Sequence, residues 1–468
     1  MEQTETTTLT KNKYFGTRKF YGGALSLAVP IMLQQLIQSM VSLIDNFMVS
    51  GLGDISMSGV NVAGQVMFIF MVYLNAICMA GGIFLTQFFG AKDTDGMKQT
   101  FLFKLIMGLA ALVPYLLTCA VFPRQVLSLM LIGNTEAEAI LDEAVKYINI
   151  TALLGLPQIV SFCIASSLRD MGKVKTPLYV SIAATATNTL FNWLLIFGNL
   201  GFPKMGVRGA AAATVIARTL EFVIFMVIYV RKKPQFAVKF TEILKLDGKL
   251  FRKILKKGFL VLFCEMVWVL SETVTTAIYN GRGGADVVSG MASSFAIANL
   301  FFVAFGGIYS STGVILGKTL GEGKLEKARQ QKNWLLSGSA VFGVIMMLFG
   351  FVTTLVIPLV FGKLSESAVE ICRSMVIMMS FFMPIWVYMN AQIAVGRAGG
   401  DTAMGAYTDS VITIFIMMPM LFALGFLTNI GPVAMYFYIK LLDIIKIVVF
   451  HIWLKKERWL KNLTTREA

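Results

Sequence analysis

The chain has 468 residues, of which 56% are hydrophobic and only 14% are charged, and its mean hydropathy is +0.73. A soluble domain carries about 25% charged residues, so this composition excludes a soluble fold and calls for an outer surface that faces lipid. The formal net charge of +15 would suggest a nucleic-acid partner in a soluble protein. In a membrane chain the excess of Lys and Arg in cytoplasmic loops explains it, and no nucleic-acid partner is expected.

A helix needs about 20 apolar residues to cross the hydrocarbon core. Twelve stretches meet this: 24–49, 58–89, 101–122, 140–166, 177–198, 209–230, 256–280, 287–316, 335–360, 368–394, 403–425 and 431–454. The expected fold is an all-α membrane protein with two homologous six-helix lobes. The polar start, Met1 to Lys19, reads as a cytoplasmic tail rather than a signal peptide. The longest polar connection, Arg231 to Lys257, separates the halves. This gives an N-terminal lobe at 1–231, a cytoplasmic linker at 232–255, and a C-terminal lobe with its tail at 256–468.

With the N-terminus inside, inner segments hold 31 of the 41 basic residues and outer segments hold seven. The bias places both termini in the cytoplasm of a multi-pass cell-membrane protein. The five cysteines, Cys78, Cys119, Cys163, Cys264 and Cys372, lie at no metal-ligand spacing and read as buried or lipid-facing thiols.

The first half echoes in the second. "SLRDMGKVKTP" between spans 4 and 5 answers "AVGRAGGDTAM" between spans 10 and 11, which aligns Arg169 with Arg397 and Gly172 with Gly400. "ARTLE" in span 6 answers "IKLLD" in span 12, pairing Arg218 with Lys440 and Glu221 with Asp443. An even number of spans per half implies parallel repeats about an axis along the membrane normal, with a cleft between the bundles.

Ionisable residues within spans are costly and therefore functional candidates. Asp45 lies late in span 1, where a carboxylate can bind a proton or sodium or serve as a hydrogen-bonded structural group. Asn188 and Asn192 lie one turn apart in span 5 on one face. Their carbonyl oxygens suit a hard cation such as sodium, or interhelical packing. Thr214 can add a hydroxyl from span 6. Glu265 and Glu272 lie two turns apart in span 7 as candidates for an ion or a cationic substrate, and Asp409 in span 11 is another. Arg218 with Glu221, and Lys440 with Asp443 and Lys446, have the spacing of structural ion pairs along one helix. His451 reads as an interfacial residue. Gln38, Tyr73, Asn75, Phe295, Asn299 and Met389 are candidates to line a substrate cleft. The 28 Met and 37 Phe suit an adaptable apolar site. No phosphate-binding loop, metal cluster or nucleophile–base set is present in the sequence, so no enzyme activity and no cofactor are expected.

Several stretches, in order, resemble the multidrug and toxic compound extrusion (MATE) family. They are "VPIMLQQLIQSMVSLIDNFMVSGLG", "TNTLFNWLLIFGNLGFPKMGVRGAAAAT", "CEMVWVLSETVTTAIYNGRGG", "GRAGGDTAM" and "ERWLKNLT". The resemblance covers nearly the whole chain. It implies two lobes that form a V in the outward-open state. It also implies export of organic, often cationic, compounds against an inward flow of protons or sodium ions, in a chain expected to act as a monomer. In such relatives an N-lobe cation site draws on span 1, 5 and 6 residues that Asp45, Asn188 and Thr214 match. Asn192 stands where some relatives carry an acid, which leaves proton against sodium open. Some relatives place a coupling Glu near Glu265, but the slot of its acidic partner falls near Trp386, so that C-lobe site is expected to be incomplete. The main ion site is expected in the first lobe. The competing reading, a lipid-linked precursor or polysaccharide flippase, fits poorly with only Arg218, Lys440 and Lys446 as basic residues inside spans. A receptor or channel fits poorly with the doubled architecture and its intramembrane acids.

Overall fold

The computed structural model describes residues 13–132, 136–242, 245–361 and 364–465. Among them are twelve long helical segments and no strand. They are α1 (Arg18–Ser50), α2 (Asp54–Gly90), α3 (Thr94–Val121), α4 (Ala137–Asp170), α5 (Lys175–Phe197) and α6 (Val207–Lys232). The second six are α7 (Gly248–Asn280), α8 (Ala285–Gly321), α9 (Leu325–Phe361), α10 (Glu366–Ala398), α11 (Thr402–Leu427) and α12 (Pro432–Lys455). Ten of these are long and apolar enough to cross a membrane by length and composition. The intramembrane charges Lys440, Asp443 and Lys446 keep α12 outside that composition limit.

Each expected span falls within its helix to within one residue, but several helices run further. The largest extension is the polar start of α9, "LEKARQQKNW", which continues the helix beyond its apolar stretch. Side chains cap some ends: Asp93 accepts from the Gly96 amide at 2.9 Å to open α3, and Ser365 accepts from Ala368 to open α10. Large apolar side chains remain on the outside. Phe47 is 81% exposed and Leu359 is 85% exposed. In water such a surface would drive aggregation, whereas lipid accepts it at no cost.

The described chain divides into two compact units, Pro30–Glu265 and a second made of Val29 and earlier residues with Met266–Ala468. The division falls inside α1, just before Pro30, and inside α7. In the first unit α2 packs on α3 and α4, and α4 and α5 each pack on α6. Phe84, Phe103, Leu154, Ile159 and Phe225 fill its core. The run of small residues that opens α6 sets how close α5 lies: a Cβ at Gly209 would overlap the Leu195 carbonyl. That approach carries Thr214 up to Asn188. The segment after α6 folds back on α3, with Lys98 paired to Glu242 at 3.1 Å and the buried Phe236 against Phe101. A hydrogen bond from the Lys239 amide, followed by Lys98, holds the Glu242 carboxyl below its usual range.

In the second unit α8 and α9 pack on α10, and α10 packs on α12. Tyr279, Phe301, Met379, Phe382 and Trp386 form its core. The start of α1 belongs here, with Phe20 edge-on to Trp334 at 5.1 Å and the Tyr21 hydroxyl donating to the Trp334 carbonyl at 3.0 Å. The tail after α12 docks on the same unit. Trp459 is 1% exposed, Arg329 bonds both Glu457 oxygens at 2.7 Å, and Gly399 lies so close that a Cβ would overlap the Trp459 carbonyl.

Candidate functional site

In the first unit α1, α5 and α6 bring Asp45, Asn188, Asn192 and Thr214 together. The 3.6-residue period puts Asn188 and Asn192 on one face of α5, and both are buried. Asn192 Nδ2 donates to Asp45 Oδ1 at 2.7 Å. One terminal atom of the Asn188 amide lies 2.9 and 3.0 Å from the two Asp45 oxygens, and only its nitrogen can donate there. With the amide turned the other way, an oxygen would face the carboxylate, an arrangement that needs a proton or cation between them. The second amide atom of Asn188 reaches the Thr214 hydroxyl at 3.5 Å, and Thr214 itself donates to the Ala210 carbonyl at 3.0 Å. Asn192 Oδ1 is buried with no hydrogen-bond partner.

Arg218, one turn after Thr214, lies within electrostatic range of Asp45 but is held by Glu221 at 2.8 Å. Asp45 itself forms no ion pair within 4.0 Å among the described residues. The groups around it are therefore neutral amides and a hydroxyl, and with the amides turned their oxygens would join the carboxylate as a set that suits a small hard cation. No three His, Cys, Asp or Glu side chains gather at one point among the described residues, so a transition-metal cage is not what this set resembles.

The second unit spends its acids differently. Lys440 of α12 pairs with Glu272 of α7 at 3.4 Å, not with its helix neighbour Asp443. Lys446 pairs with Asp409 at 2.7 Å and with Asp443 at 3.5 Å, and donates to the Thr413 hydroxyl at 3.1 Å. Asp409 reaches Lys446 from a π-helical stretch of α11, Gly405–Ser410. Such wider turns shift the side-chain register of a helix and are common at functional positions. Trp386, in the slot where an acid would complete the expected pair with Glu265, donates its indole N–H to Asp443 at 2.8 Å. Glu265 is half-buried at the edge of the first unit, while Glu272 belongs to the second.

The proposed cleft residues separate into two sets. Gln38, Asn75 and Asn299 are exposed. Tyr73 donates to the Met107 carbonyl at 3.2 Å, Phe295 lies 6.5 Å from the Tyr436 ring, and Met389 packs on the second unit's core. His451 is exposed near the end of α12.

One buried charge pair escaped the sequence reading. Lys104, near the start of span 3, has a side chain that is 0% exposed. Its ammonium pairs with Asp170 at 2.6 Å and donates to Ser166 and Ser167 at 3.1 and 3.3 Å. The signal lay in Gly81–Gly82 of α2. A Cβ at Gly81 would press on the Lys104 chain at 2.7 Å, and one at Gly82 would meet the Asp170 carboxylate at 2.9 Å.

Comparison with known proteins finds relatives over both halves of the chain. The "Probable multidrug resistance protein YoeA" of Bacillus subtilis is 25% identical over 451 residues, covering 92% of this chain and 93% of its own. The "Probable multidrug resistance protein NorM" of Thermotoga maritima is 25% identical over 334 residues, 69% of each chain. A crystal structure of MATE in the straight conformation superposes with a TM-score of 0.83 at 16% identity, covering 94% of this chain and 96% of the other. An outward-facing multidrug resistance MATE transporter of the MOP superfamily does so at 0.80 and 16% identity, covering 95% of this chain and 97% of the other. The family model MatE matches residues 30–194 and 261–423, one stretch in each half. The chain therefore belongs to the MatE family.

Proposed function

We propose that this chain is an antiporter of the cell membrane that exports small organic compounds, cationic ones among them, in exchange for protons or sodium ions. Support for efflux comes from the multidrug resistance relatives. The observation that carries the ion-coupled reading is Asp45. It is an intramembrane carboxylate whose contacts are amide donors rather than a cation. A half-buried carboxylate without an ion-pair partner takes up a cation more readily than one already paired. Glu272 and Asp409 already face lysines. The coupling ion accordingly belongs with Asp45, Asn188, Asn192 and Thr214 in the first unit. The ion enters the oxygen set when substrate leaves, and each helps stabilise the conformation that releases the other.

The test is transport of an ethidium-like cation in proteoliposomes under separately imposed proton and sodium gradients. Accumulation driven by at least one gradient, and abolished by collapsing it, is the expected result. Movement indifferent to both gradients would remove the antiporter reading for such substrates.

A further inference from the structure

The second unit contains an aromatic cage that holds the protein's own ammonium. Lys440 Nζ lies 5.4 Å from the Tyr436 ring centre and 5.9 Å from that of Trp386. Its one hydrogen bond among the described residues is the 3.4 Å contact to Glu272, whereas Lys446 makes two of 3.1 Å or less. An ammonium carries three donors, so two of Lys440's are unused. The cage walls are fixed. The Trp386 indole is anchored on Asp443, Phe382 stacks on it at 5.6 Å, and Tyr279 lies 6.1 Å from Tyr436. The Tyr279 hydroxyl is buried without a hydrogen-bond partner in a ring that is 1% exposed, and it lies within electrostatic range of Lys440 and Glu272. A buried phenol without a partner is costly, and such a group marks a place where a polar atom is expected. Glu272, with its side chain 38% exposed, is the open side of the cage.

We propose that this cage is a second ligand site, in which Lys440 receives the carboxylate of a small organic ligand and Glu272 holds that place when no ligand is bound. The two spare ammonium donors and the Tyr279 hydroxyl match the acceptors of one carboxylate. The Trp386 and Tyr436 rings, 6% and 3% exposed, wall the ammonium, and the place for the rest of the ligand is the exposed side on which Glu272 lies. Exchange of one carboxylate for another keeps the local charge constant, so the ligand displaces Glu272 toward its exposed side without leaving Lys440 uncompensated. A plain organic cation meets repulsion from Lys440 instead. Lys440 is thus the residue that determines specificity between the two. The proposal deepens the export reading by naming a substrate class, and it rests on that reading for the ligand's passage but not for its binding.

The test uses two probes that share a ring and differ in charge, 2-naphthoate and 2-naphthylmethylammonium, titrated against the purified full-length protein. Lys440→Gln should weaken naphthoate by about tenfold or more, and Glu272→Gln should tighten it several-fold. The ammonium probe should shift in the opposite direction in both variants. Tyr279→Phe should weaken naphthoate, while Lys440→Arg should retain most of its binding. Equal shifts for both probes, or naphthoate affinity unchanged in Lys440→Gln and Glu272→Gln, would overturn the proposal. If Lys440→Gln does not fold, the sign of the Glu272→Gln change decides it. Gradient-driven transport without this binding pattern removes the cage and leaves the antiporter; the pattern without such transport does the reverse.

Discussion

Asn192 of α5 donates to Asp45 of α1 at 2.7 Å across 147 residues of sequence, and its own amide oxygen is left buried without a partner. The pair ties two helices together at a carboxylate that has no counter-cation of its own. A hydrogen bond to a charged group contributes about 1.5–3 kcal/mol. Asn192→Leu, close in volume, takes that donor from the ionised carboxylate and should therefore shift the half-saturating concentration of the driving cation about tenfold or more, downward where the cation is a proton. Thr214→Val should act more weakly, because its contact to Asn188 is 3.5 Å long. Transport kinetics at varied proton and sodium concentration measure both, and an unchanged concentration dependence in Asn192→Leu would detach Asn192 from the ion site.

Lys446 is the buried cation shared by Asp409 and Asp443. Removing one partner of such a cluster leaves uncompensated charge and costs about 3–5 kcal/mol. Lys446→Met should lower the melting temperature of the purified protein sharply. The triple variant with Asp409→Asn and Asp443→Asn should recover most of the loss. Equal destabilisation in single and triple variants would show that packing, not charge, accounts for the effect.

Lys104 and Asp170 form a charge pair of the first unit, and Ala398 stands at the position of the second half that aligns with Asp170. Lys104→Met alone should destabilise by about 3–5 kcal/mol, and Lys104→Met with Asp170→Leu by much less. A double-mutant cycle on thermal unfolding reads the coupling. Additive losses would mean that the two side chains contribute independently.

The docked tail should loosen in acid. Hydrogen bonds from Arg329 hold the Glu457 carboxyl below its usual range. Glu457 therefore strengthens docking above the ordinary value of about 4.3, and that contribution disappears as pH falls through the lower value of the docked state. Both side chains are 38% exposed, so the effect is screened to about 1 kcal/mol at most. Hydrogen exchange at 457–463, corrected for its intrinsic pH dependence, should rise below pH ~4. Glu457→Gln should produce the same rise at neutral pH. No difference between that variant and the parent would place the tail's docking in Trp459 and Gly399 alone.

The twelve helices were legible because lipid turns a spanning segment into an uninterrupted apolar run. The polar start of α9 was not, since a helix that leaves the bilayer loses that signal. Convergence of Asp45 with Asn188, Asn192 and Thr214 was partly legible, through the i, i+4 spacing and the small residues that open α6. Lys440 shows the limit. Its i+3 neighbour Asp443 offered a local partner, but Glu272, 168 residues away, is the one it takes. Periodicity reports which residues share a helix face, not which helix that face meets. The burial of Lys104 was not legible for a related reason: a lysine ten residues into a helix looks interfacial unless its acid is known.

The most direct test is export under an imposed gradient by the parent and by Asp45→Asn, reconstituted at equal amounts. The substitution keeps the side chain's size and one acceptor oxygen while removing its charge. The account predicts that Asp45→Asn folds and reconstitutes normally, and loses gradient-driven accumulation of the cation. Accumulation at the parental rate with the same dependence on the gradient would contradict it, and would remove Asp45 from the coupling site.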